Sequence, residues 1–178
     1  MINSHLTSTI YIPPQEQIDK LLDLFNKRLF GRAIERAQNL IQQYPTSYML
    51  WNILGASYKS LGRLAEAIDA FVKVTHYNAQ YADGFNNLGV VLGETGQFDR
   101  ASVAYNQALK IKPNFYEAYN NLGTVLRKQG YLEDCIECYE KAIDLKPNYV
   151  EAHNNLGVAL VAQGKLEDAI SVYRRVLS

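Results

Sequence analysis

Apolar positions along this chain recur at three- and four-residue spacing in short runs, and glycine or proline separates the runs. Between Tyr116 and Gln129, the residues Tyr119, Leu122, Gly123 and Leu126 share one face of a helix. Gly130 follows, where a helix end favours a residue that tolerates left-handed backbone. A second run from about Leu132 to Leu145 turns Cys135, Ile136, Tyr139, Ala142 and Ile143 inward. Pro147 stops it, since proline has no amide donor and clashes with the preceding turn. The spacing therefore predicts two helices joined by a tight turn.

The same pattern returns along the chain. Asn-Asn-Leu-Gly occurs at Asn86–Gly89, Asn120–Gly123 and Asn154–Gly157, each 34 residues from the last, and Trp51 to Gly55 falls one period earlier with the same Leu-Gly ending. Gly62, Gly96, Gly130 and Gly164 form another column, as do Ala67, Ala101, Cys135 and Ala169, then Phe71, Tyr105, Tyr139 and Tyr173. Pro45, Pro113 and Pro147 share a column in which Ala79 stands once. These columns define windows 14–47, 48–81, 82–115, 116–149 and an incomplete 150–178, preceded by an extension over 1–13. One helix pair cannot bury its own apolar face, but stacking each pair on the next can. The expected fold is all-α, a right-handed superhelical solenoid of helix–turn–helix repeats with a concave and a convex surface.

The pattern of Trp51, Leu54, Gly55 and Tyr58, followed by Ala67, Phe71 and a later proline, resembles the tetratricopeptide repeat over residues 14–178. The first window matches least: it keeps Ala33 and Pro45 but carries Leu21 in the glycine column. Gln17, Asp19, Lys20 and Asp23 suit it to act as a wet terminal cap.

Composition narrows the classes of function. Eighteen basic residues balance eighteen acidic ones, so there is no basic excess of the kind a general nucleic-acid binder shows. No stretch approaches the roughly 20 apolar residues that span a bilayer, and the start of the chain lacks the pattern of a secretory signal. These absences point to a cytoplasmic protein with neither nucleic acid nor membrane as its main partner.

No constellation suggests catalysis, a metal or a cofactor. Cys135 and Cys138 form a C-x-x-C, yet no second pair completes a tetrahedral site, and the register reads both as packed thiols. His5, His76 and His153 are scattered, and His153 stands in the column of Trp51, Phe85 and Tyr119, which reads as packing or rim. Glu133 with Asp134, and Glu167 with Asp168, suit the positive end of a helix dipole. Most tyrosines fall in repeated columns and read as packing. The chain is expected not to be an enzyme.

The asparagines resist that treatment. Asn86 and Asn87, Asn120 and Asn121, and Asn154 and Asn155 lie within first helices, and Asn52 begins the series. Asparagine is a mediocre helix former, so each pair carries a local penalty. Each side chain offers an acceptor and two donors, which suits a column gripping the backbone of an extended peptide. The alternative is that one asparagine of each pair bonds to the backbone of a neighbouring repeat. These repeats, with a following Lys-Pro-Asn, are similar to those of O-linked N-acetylglucosamine transferase. That resemblance implies a concave asparagine ladder at Asn87, Asn121 and Asn155, which stops at Ile53. Lys59, Thr124, Arg127 and Lys128 would add side-chain contacts along the inner helices. Asp83, Glu117 and Glu151 lie where chaperone-binding relatives carry cations, which argues against a carboxylate clamp and favours a basic or neutral ligand.

The chain stops at Ser178 inside a second helix, so an apolar end including Leu160, Val161, Val172 and Val176 is expected to be exposed. A homo-oligomer through such open repeat ends follows as one expectation, and membership of a longer protein as another. The first reading is a protein- or peptide-binding scaffold. Its alternatives are the amino-terminal region of a glycosyltransferase-like or other transferase enzyme, and a self-assembly module.

Overall fold

The structure is a computed structural model that describes residues 12–177, with side chains to Arg175. His5 and Val176, and all but the end of the extension over 1–13, lie outside the residues whose side chains are described. Among the described residues there are ten helices and no strand. They are α1 (Gln15–Asn26), α2 (Phe30–Gln43), α3 (Tyr48–Ser60), α4 (Leu64–Tyr77) and α5 (Ala82–Glu94), then α6 (Phe98–Ile111), α7 (Tyr116–Gln129), α8 (Leu132–Leu145), α9 (Val150–Ala162) and α10 (Leu166–Leu177). The architecture is all-α and built of helical hairpins, as expected. No described helix is long and apolar enough to cross a membrane.

The helices divide into two compact units, residues 1–79 with α1–α4 and residues 80–178 with α5–α10. Within each unit consecutive helices pack on one another. In the second, Cys135, Ile136 and Tyr139 of α8 meet Leu156, Ala159 and Leu160 of α9 and Ala169 of α10 in one buried cluster. Leu160 is therefore buried, contrary to the expectation that it lines an exposed end. The turn of α9 that carries it faces α8, while Val158 and Val161 on the same helix are exposed.

The glycine and aromatic columns are one device. A Cβ on Gly89 would lie 2.6 Å from Tyr105, on Gly123 2.7 Å from Tyr139, and on Gly157 2.4 Å from Tyr173. Glycine lets the first helix press against the ring of the second, and the ring fills the space at interior density. In the first repeat the same two columns hold Leu21 and Ala37, both fully buried. The large and small partners have changed places, so that repeat conserves volume where its motif is broken.

Turns obey a second column. Gly62, Gly96, Gly130 and Gly164 have φ between 71° and 88°, the left-handed region that glycine enters without steric penalty. Arg28 holds that place in the first repeat at φ 57°. The first helix of a repeat is also tied to the preceding loop. Trp51 Nε1 donates to the Pro45 carbonyl at 2.7 Å, and three repeats later, in the same column, His153 Nε2 meets the Pro147 carbonyl at 2.8 Å.

Candidate functional site

In the second unit α7 packs between α5 and α9, and these three helices carry the doubled asparagines. Adjacent helical residues point about 100° apart, so the two members of a pair take different directions. Asn121 Nδ2 donates to Asn86 Oδ1 at 3.1 Å, and Asn155 Nδ2 donates to Asn120 Oδ1 at 2.9 Å. The second asparagine of one repeat thus bonds the first asparagine of the repeat before it. The neighbour supplies a side chain here, where the alternative drawn from the sequence had it supply backbone. These bonds offset the local penalty of asparagine within a helix.

Glu151 sets the direction of the longer chain of bonds. Its Oε1 accepts from Asn120 Nδ2 at 3.0 Å, and a carboxylate has no hydrogen of its own to give. Asn120 must therefore turn its amide nitrogen to Glu151 and its carbonyl to Asn155. Asn155 in turn must present its nitrogen to Asn120, which leaves its own Oδ1 outside the relay. Glu151 Oε2 also accepts from the Tyr149 hydroxyl at 3.2 Å, so both carboxylate oxygens are engaged. Burial and the Glu151 charge hold the Tyr149 phenol above its ordinary range, which keeps it a donor.

Beside this relay sits a cluster that sequence reasoning missed. Lys146 Nζ donates to the Tyr116 hydroxyl at 3.0 Å and lies 4.4 Å above the Tyr116 ring and 5.3 Å from that of Tyr149. The two rings meet edge to face, 5.1 Å apart. Lys112 stands 4.2 Å over Phe115 one period earlier. The signal was the repeated Lys-Pro-Asn-aromatic string, Lys112–Phe115 and Lys146–Tyr149, in which the lysine had been given no role.

The remaining candidates divide by accessibility. Asn120 is fully buried and offers a ligand no surface. Asn86, Asn87, Asn121 and Asn155 are half-buried, and Asn154 is exposed. Thr124 Oγ1 donates to the Asn120 carbonyl at 3.0 Å and accepts from the Tyr139 hydroxyl at 3.3 Å, so its oxygen is engaged inside the protein. Arg127 is half-buried, with a buried Nε that has no hydrogen-bond partner. Lys128 is exposed, its ammonium 5.5 Å over the Phe98 ring. Asn52 and Lys59 are half-buried on α3 of the first unit. The structure thus joins Asn86 to Asn121, and Asn120 to Asn155, Thr124 and Glu151.

Elsewhere the chemistry is quiet. Cys135 and Cys138 are free thiols. Burial pushes the Cys138 thiol up to about 12 and moves Cys135 the same way, so both stay protonated and weakly nucleophilic at neutral pH. Two cavities between second helices also escaped the sequence. One, about 510 Å³, is lined by Trp51, Leu54, Tyr58 and residues of α2 and α4; the other, about 470 Å³, has His153, Leu156 and Leu160 between α8 and α10.

Known proteins bear on this geometry. Sequence profiles described as tetratricopeptide repeat match residues 18–82 and 152–178, and a profile described as TPR repeat matches 91–130 and 123–164. No protein of curated function matches the sequence. The crystal structure of MamA is similar with a TM-score of 0.83 and 25% identity, over 94% of this chain and 95% of that one. YrrB, a TPR protein with an unusual peptide-binding site, gives 0.76 and 21% over 90% of this chain and 83% of its own. PilF of Pseudomonas aeruginosa gives 0.83 and 18% over 92% and 74%.

Proposed function

Since the chain belongs to the tetratricopeptide-repeat family, we propose that it is a non-catalytic interaction scaffold that holds an extended peptide segment. The segment lies along the face of α5, α7 and α9 that carries Asn87, Asn121 and Asn155. The observation that carries this reading is the anchoring of Asn121 and Asn155. Each commits one amide N–H to the preceding repeat and keeps a carbonyl oxygen and a second N–H beyond that bond. Side chains already held in one rotamer lose little freedom on binding, which favours affinity. An acceptor and a donor at repeat spacing match the alternating amides and carbonyls of an extended backbone. A role of this kind is on record for one solved structure of the same fold, since YrrB is a TPR protein with a peptide-binding site.

Asn120, Thr124 and Glu151 support that face from behind and do not touch the segment. Arg127 and Lys128 flank it at the carboxyl end of α7; on α3, Asn52 stands in the column of Asn120 and Lys59 in that of Arg127.

A peptide array probed with the chain tests the proposal, beside the triple variant Asn87→Ala, Asn121→Ala, Asn155→Ala. Three lost amides, at about 0.5–1.5 kcal/mol per hydrogen bond, weaken retained peptides by at least about tenfold. Circular dichroism must show both proteins equally helical. Equal retention by both, at equal helicity, removes the asparagines from the site.

A further inference from the structure

The last repeat presents to solvent a helix face whose counterpart one repeat earlier is covered. Ile136 on α8 is 9% exposed because α9 packs over it, whereas Ile170 on α10 is 43% exposed. Glu133 accepts from Gln163 at 2.8 Å; its counterpart Glu167 is exposed and has no hydrogen-bond or ion-pair partner among the described residues. The uncovered face is not a simple copy of its predecessor. On α8 the stripe reads Glu133, Ile136, Glu137 and Glu140, with acid at both ends. On α10 it reads Glu167, Ile170, Ser171 and Arg174, all exposed.

Those four residues recur at spacings of three, four and seven, so they form a single line along the helix. Glu167 and Arg174 stand about 10 Å apart along the axis, about two turns in all, with one turn on either side of Ile170 and Ser171. A line that is acidic at one end and basic at the other, with Ile170 and the small, uncharged Ser171 between, complements its own reverse. A two-fold axis through its middle sets Glu167 of one copy against Arg174 of the other, twice, with Ile170 buried at the centre. Leu166, 59% exposed, widens the apolar strip. Among the described residues, α1 offers no such match for Ile170. Along α1, Glu16 pairs with Lys20 and Asp23 with Lys27, all exposed, which makes a wet surface.

We propose that α10 is a self-association surface that pairs antiparallel with α10 of a second copy of this chain. The interface is small and its ion pairs lie at the rim, so dissociation constants on the order of 10–100 µM are expected.

Sedimentation equilibrium of the whole chain, from about 10 µM to about 1 mM, reads this directly. The mass should climb from 20.2 kDa towards twice that value. Arg174→Glu should move the midpoint up by at least about tenfold, and Ile170→Asp should leave a monomer throughout the range. The double variant Glu167→Arg, Arg174→Glu carries the reversed but still self-complementary line and should recover to within about threefold of the natural chain. A natural chain that stays monomeric overturns the proposal, as does association indifferent to these changes. A double variant as weak as the single one overturns the antiparallel register.

Discussion

The side-chain amide of Asn120 donates to the Glu151 carboxylate at 3.0 Å, and this bond orients the amide of Asn155 one repeat on. Glu151 is exposed and would ordinarily be dispensable. Its loss leaves a fully buried N–H without a partner, a penalty of about 1–3 kcal/mol. Urea denaturation should show Glu151→Ala destabilised by that amount, with Glu151→Gln much closer to the natural chain because its amide oxygen can still accept. A Glu151→Ala midpoint equal to that of the natural chain would show that the relay contributes nothing to the fold.

Two glycines inside helices should respond with opposite signs. A Cβ on Gly123 meets the Tyr139 ring at 2.7 Å and the Cys135 carbonyl oxygen at 3.1 Å, so Gly123→Ala overpacks a filled interior by about 1–3 kcal/mol. A Cβ on Gly31 meets nothing within 4 Å, so Gly31→Ala should stabilise α2 by about 0.5–1 kcal/mol through backbone entropy. Melting temperatures of the two variants, measured side by side, decide the matter.

Arg28 is the one described non-glycine residue in left-handed backbone, at the place where four other repeats use glycine. A side chain in that conformation is strained by about 1–2 kcal/mol, and glycine returns part of this as unfolded-state entropy. Arg28→Gly should therefore raise stability by about 0.5–1 kcal/mol. Chemical denaturation of the whole chain is the measurement, and a lower midpoint would sink the idea.

Alkaline pH should loosen the second unit before neutral or mildly acidic pH does. The folded Cys138 thiol keeps its proton to about 12 against an ordinary value of 9.0, and burial moves the Cys135 thiol and the Tyr105 and Tyr139 phenols upward too. Below about pH 9 these groups are neutral in both states, and their contribution to stability is fully present. As pH rises from about 9 towards 12, the unfolded chain releases protons that the folded chain retains, so stability is lost. The melting temperature should fall over that window, and Cys138→Ala should flatten the fall. An unchanged slope in the variant would mean that Cys138 is not among the responsible groups.

The fold was legible because its determinants are local and repeated. Gly130 marked a left-handed turn, and α7 and α8 span the two runs that apolar spacing outlined. Proline mattered less than its column suggested, since α4 ends at Tyr77, two residues before Ala79, in the same register as the helices that precede Pro113 and Pro147. The site was only partly legible. Spacing marked the asparagines as unusual, but the route from Asn155 through Asn120 to Glu151 depends on how far one repeat advances beyond the last, and that displacement is a property of packing. Leu160 was misplaced for a related reason. A helix buried on two sides, as α9 is between α8 and α10, has a weak amphipathic pattern, so its apolar residues do not mark which of them faces outward.

The exchange between Leu21 and Ala37 bears on how proteins of this build can be rearranged. The unit of inheritance is the hairpin, since a helix carries only half of a volume agreement whose other half lies in its partner. Splicing a glycine-bearing first helix in front of α2 would set two small residues face to face and open a hole at the centre of the repeat. Joining whole hairpins end to end leaves every agreement intact, so recombination points between repeats are tolerated and those within them are not.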